Sequence, residues 1–124
     1  MVKTDLHRAC ANGDLRAAVL LARNHPEWLA EADIAGSTAM HSAARVGHRE
    51  IVEHLLEVHP QGTSAKTDSG RTPLHKAVEE GHTAIVALLL GHKGAGDLRA
   101  SVKDKRGYTP LHLAATFGRT DIAA

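Results

Sequence analysis

The chain has 124 residues, 43% of them apolar and 23% charged, with a single Trp, a single Tyr and a single Phe. That length suits one compact domain or a short repeat array, and the scarcity of aromatics leaves Ala, Leu, Val and Ile to build the core, which disfavours a deep aromatic-lined cofactor pocket. Against 14 Asp and Glu stand 15 Lys and Arg, a net charge of +1 that lacks the basic excess nucleic-acid binding requires.

The segment MVKTDLHRACANGD at the N-terminus has no apolar signal core, and the longest strongly apolar run, Ala84 to Leu90, is far too short to span a membrane. One Cys excludes an internal disulfide and fits a reducing compartment. An intracellular, cytoplasmic chain is expected, with no membrane contact of its own.

The elements repeat in chain order. Thr4 to Asp14 (TDLHRACANGD) predicts a short helix, followed by a second apolar helix in LRAAVLLA and a His25-Pro26 connection carrying Trp28. Gly36 to His48 (GSTAMHSAARVGH) predicts the next short helix, EIVEHLLE its partner, and His59-Pro60 the same stop. Gly70 to His82 (GRTPLHKAVEEGH) is the clearest copy, followed by AIVALLLG and a Gly-rich connection from Gly91 to Arg99. Gly107 to Arg119 (GYTPLHLAATFGR) opens a fourth copy whose second helix has barely begun at Ala124. Asp33 and Asp68 mark turns ahead of the second and third copies. The units run roughly over 1–32, 33–66, 67–103 and 104–124, the last incomplete. A fragment of a longer protein, or a frayed C-terminal edge, is expected there.

The register is tight. His7, His41, His75 and His112 are separated by 34, 34 and 37 residues, each preceded at three residues by Thr and followed at six by Gly. The Thr residues read as N-caps, with Pro73 and Pro110 at the first helical position, where a missing N–H does no harm. Asp5 suits the positive end of the first helix in place of Pro. Gly13, Gly47, Gly81 and Gly118 can turn left-handed and end the helix. Ile51, Val52, Leu55 and Leu56, like Ile85, Val86, Leu89 and Leu90, fall on one helical face. Helices this short need neighbours to bury that face, so a stack is required.

The strings TPLHKAVEEGHTAIVALLL and GSTAMHSAARVGHREIVEHLL strongly resemble the ankyrin repeat, and the resemblance covers essentially the whole chain. It implies an all-α solenoid of antiparallel helix pairs with hairpin-like finger loops, in which the motif His residues tie neighbouring units. It also implies a protein-interaction role.

No catalytic constellation emerges. Six of the ten His have a place in the repeat: His7, His41, His75 and His112 in the first helices, and His48 and His82 after the Gly. His54 and His59 lack the further ligands zinc needs, so no metal is expected. Cys10 stands where Ala44, Val78 and Ala115 stand in the other copies and reads as a buried thiol. The Gly91 to Gly96 stretch lacks the terminal Lys-Ser or Lys-Thr of a phosphate loop. Adjacent Glu79 and Glu80 point apart. No catalytic residue, cofactor or small-molecule substrate is expected.

Two solvent-facing surfaces differ from copy to copy where the framework positions agree. These are the finger tips, with Ala35 and Ser37, Ser69 and Arg71, and Arg106 and Tyr108, and the open face of the first helices. Candidate partner-binding residues are Ser37, Ser42, Arg45, Arg71, Lys76, Glu79, Arg106, Tyr108, Leu113 and Phe117. Tyr108 is a possible anchor for an acidic or apolar partner segment, with Arg45, Arg71 and Arg106 steering it; packing of Leu113 and Phe117 on a further repeat is the competing reading. A non-catalytic protein-binding scaffold is the leading reading of function. The alternative is a recognition or regulatory part of a larger enzyme, transporter or membrane protein.

Overall fold

Thr38 and Thr72 sit in extended backbone immediately before their helices, and each hydroxyl accepts from the backbone N–H three residues on, of His41 and His75. Each helix then runs eight residues and stops at a left-handed glycine, Gly47 at φ 83° and Gly81 at φ 74°. After a single further residue the chain enters the second helix. In the first unit Asp14 caps that helix by accepting from the Ala17 N–H at 3.1 Å. The computed structural model describes residues 4–91, 102–110 and 112. Within them lie six α-helices: α1 (Thr4–Asn12), α2 (Leu15–Asn24), α3 (Ala39–Val46), α4 (Arg49–Val58), α5 (Pro73–Glu80) and α6 (Thr83–Gly91). No strand occurs among the described residues. The Gly-rich connection beyond Gly91 and the frayed or open C-terminal edge fall outside them.

The helices form two layers. α1, α3 and α5 pack side by side, and α2, α4 and α6 pack behind them. Alanines at one register position, Ala9, Ala43 and Ala77, are all buried between the first helices, where a larger side chain would hold neighbours apart. Ile51, Val52, Leu55 and Leu56 of α4 and Ile85, Val86 and Leu89 of α6 fill the space between layers. Cys10 is buried in the same core.

Pro26 and Pro60 end the second helices, as their sequence positions predict, and each also starts a 3₁₀ turn, Pro26–Ala30 and Pro60–Ser64. Trp28 lies in the first of these turns, packed against the core, and stacks on His25 with ring centroids 3.8 Å apart.

Three finger turns project ahead of α3, α5 and Thr109. Each closes by a backbone bond across its base: Asp33 N–H to Ser37, Thr67 N–H to Arg71 and Asp104 N–H to Tyr108. Neighbouring fingers are joined by Asp68 N–H to the Ala35 carbonyl at 3.1 Å and Lys105 N–H to the Ser69 carbonyl at 2.9 Å. Asp33 and Asp68 both lie in these finger turns, one register position apart. Thr67 holds the place of Asp33, its hydroxyl accepting the Arg71 N–H, while Asp68 lies one residue on, against Gly36 of the preceding finger.

Two histidine contacts cross the boundary between the first and second units and that between the second and third. His41 Nδ1 accepts the Thr38 N–H, so Nε2 carries the proton and donates to the Arg71 carbonyl at 2.9 Å. His75 repeats this with Thr72 and the Tyr108 carbonyl, and His7 reaches the Ser37 carbonyl. The second contact runs the other way. His48 Nε2 donates to the Ala11 carbonyl and His82 Nε2 to the Arg45 carbonyl. Both rings lie over the previous unit's glycine: a Cβ on Gly13 would come within 2.5 Å of His48, and one on Gly47 within 2.7 Å of His82. The glycine therefore both ends its helix and makes room for the next unit's imidazole.

Gly47→Ala is expected to destabilise the fold by about 2 kcal/mol, combining left-handed strain with displacement of His82. Gly91→Ala, with nothing within 4 Å of its Cβ, provides the control and is expected to be neutral or slightly stabilising in urea denaturation. Burial lowers the His41 pKa from 6.5 to about 4, outweighing the hydrogen bond to Arg71, so the folded ring is neutral. Burial lowers His75 in the same direction. A depressed histidine contributes stability that is full above 6.5 and lost as pH falls toward 4. The denaturation midpoint is expected to drop across that window, with His41 alone accounting for roughly 3 kcal/mol. His41→Gln should be less stable at neutral pH but show a flatter pH profile.

Candidate functional site

Ser37, Arg71 and Tyr108 share one register position, directly before the capping Thr. The contact repeated at all three uses only the backbone: their carbonyls accept from His7, His41 and His75. The side chain is left unconstrained by that contact, which is why three such different residues can occupy it. Ser42 and Lys76 lie half-buried on α3 and α5, also at equivalent positions, and Arg45 is exposed in the last turn of α3. Arg106 is exposed at the third finger tip. Tyr108 is 43% exposed and meets the His112 ring edge-on. Leu113 and Phe117 lie outside the described residues.

Arg71 and Glu79 of the third unit and Asp104 of the fourth come together across the boundary between those units. The Arg71 guanidinium pairs with Glu79 of α5 and, through Nε, with Asp104 Oδ2 at 3.4 Å. Its side chain is only 17% exposed, so its charge faces these two carboxylates more than the groove. Arg45 and Arg106 are the exposed members of the three arginines singled out in sequence. Asp104 also organises its own finger, with Oδ1 accepting the Arg106 and Tyr108 N–H groups, each at 2.9 Å. Burial opposes its ionisation, but the Tyr108 and Arg106 amides and the Arg71 guanidinium prevail and hold its pKa below the ordinary carboxylate value. Register puts Asp104 at the place of Asp33, but nothing in the sequence marked its pairing with Arg71, 33 residues away.

The sequence reading of the tips also passed over Ile34, which is fully exposed at the first finger tip. The signal was available: the matching positions are Asp68 and Lys105, so an Ile there departs from the pattern.

Burial pushes the Cys10 thiol up to about 12, keeping it a neutral core group. Among the described residues no three His, Cys, Asp or Glu converge as metal ligands, and no helix is long and apolar enough to cross a membrane. The surface offers cations, hydroxyls, an aromatic ring and one bare aliphatic side chain, carried on the finger turns and on α3 and α5.

The family model described as ankyrin repeats (3 copies) matches residues 6–99 and 62–124. The chain belongs to the ankyrin-repeat family, whose members are generally protein–protein interaction modules. No curated protein matches it.

Asp104→Ala is expected to cost about 2 kcal/mol, since it strands two finger N–H groups and removes one of the two carboxylates facing a mostly buried guanidinium. Faster hydrogen exchange at the Arg106 and Tyr108 amides would accompany it. Because the folded Asp104 pKa is depressed, its contribution is full above the ordinary 3.8 and fades as pH falls below it. The variant should therefore lose less stability than the parent in that acid range.

Proposed function

We propose that the chain is a non-catalytic scaffold that binds a protein partner through its finger tips and the open face of α1, α3 and α5. The observation that carries this reading is the division of labour within the repeat. The Thr cap, the His, the Gly and the apolar positions recur because each makes the same contact in successive units. Ser42, Arg45, Lys76, Arg106 and Tyr108 stand among them on the surface with no such uniformity. Rigid backbone carrying varied exposed groups limits the entropy lost on binding. Ser37, Arg71 and Glu79 belong to the same surface, and their part in it is to shape the groove floor and its charge. Leu113 and Phe117 would extend the surface at its far end. Tyr108, with a half-open ring on a fixed finger, is the anchor candidate.

Selection of a displayed peptide library on the purified chain tests the reading. Binders are expected to lose roughly tenfold in affinity, about 1.4 kcal/mol, with Arg45→Glu, Lys76→Glu or Tyr108→Ala. They should be indifferent to Glu57→Ala, on the exposed outer face of α4. Binders that ignored the first three substitutions would overturn it.

A further inference from the structure

The three finger tips form a row, joined by the Asp68 to Ala35 and Lys105 to Ser69 backbone bonds. Their exposed chemistry changes steadily along it. The first tip presents Ile34, fully exposed, beside exposed Ala32 and Ala35, with the acidic residues Glu31 and Asp33 on the same turn. The middle tip carries one exposed charge of each sign, Lys66 and Asp68, and the neutral Ser69. The third presents Lys103, Lys105 and Arg106, all exposed. Its one carboxylate, Asp104, is buried and engaged with Arg71 and with two backbone N–H groups, so it does little to offset the three cations.

We propose that this row of tips recognises an extended acidic peptide segment by its polarity, seating an apolar side chain on Ile34 and a run of carboxylates on Lys103, Lys105 and Arg106. The proposal rests on the reading that a protein partner docks on the fingers, and it adds the chemistry and direction of that partner. Two observations favour an acidic peptide over a nucleic acid. A polyanion longer than one finger would run onto the exposed carboxylates Asp68 and Asp33, where its charge is repelled, whereas a peptide can be acidic at one end only. The bare Ile34 offers nothing to a phosphate backbone but does offer contact area to an aliphatic or aromatic side chain. Opposite charge at the far end sets the direction in which the segment lies and speeds its encounter.

The test uses the library-selected peptides and two surface variants that leave the finger bonds intact, Ile34→Asp and the pair Lys105→Glu with Arg106→Glu. Selected sequences are expected to place an apolar residue apart from a Glu- or Asp-rich run. The double charge reversal should weaken them at least tenfold, and the loss should vanish when the acidic run is replaced by Gln. Ile34→Asp should weaken the same peptides severalfold, with no effect once their apolar residue is replaced by Gly. Such paired losses report direct contact. Peptides that depend on Arg45 or Lys76 but ignore both tip variants would overturn this proposal and leave the scaffold reading standing. Peptides that ignore tips and groove alike would overturn both. Displacement of bound peptide by a single-stranded oligonucleotide at matched charge concentration would reassign the basic tip to phosphate and overturn the proposal.

Discussion

One imidazole with two fixed jobs holds this array together. In His41 and His75, Nδ1 accepts the N–H of the capping Thr while Nε2 donates to the carbonyl of the next finger. The first bond starts a helix and the second places a neighbour, so the local and the long-range structure share a single side chain. The ring must be neutral and one tautomer for both to hold, and burial ensures that it is. A Gln could reach one of these groups, but no other side chain offers an acceptor and a donor so rigidly opposed in a ring. Everything else follows from that alignment: Ala9, Ala43 and Ala77 approach closely, the second helices fall into a matching layer, and the fingers line up to share backbone bonds.

Much of this was legible in the sequence because it is local and repeated. Thr, Pro, His and Gly at fixed offsets specify cap, first turn and stop without reference to the rest of the fold, and the structure places them so. The second contact was less legible. Sequence gave Gly47 a left-handed turn and gave His82 only a place after the next glycine, whereas the two meet across a unit boundary, the missing Cβ of one accommodating the ring of the other. The 3₁₀ turns after Pro26 and Pro60 were read merely as helix stops, since proline forbids a continued α-helix without specifying what replaces it.

The candidate surface was read with the same strengths and gaps. Register singled out Arg45, Arg106 and Tyr108, which the structure leaves exposed. It could not weigh how a charge is spent, because that depends on partners distant in sequence, and so Arg71 counted as a groove cation although Glu79 and Asp104 confront it. Ile34 is legible only by comparison between copies: it stands where Asp68 and Lys105 stand in the later fingers, and nothing in its own turn marks it.

The Arg71–Asp104 pair carries an implication for how such an array can be recombined. Between the first and second units the described ties run from a histidine ring to a backbone carbonyl, and a carbonyl is common to all twenty amino acids. A foreign unit bearing the same Thr, His and Gly could be spliced in there and be accepted. Between the third and fourth units a specific guanidinium meets a specific carboxylate. That junction is keyed, and the two units flanking it would have to travel through evolution, or through a protein engineer's hands, as a single cassette.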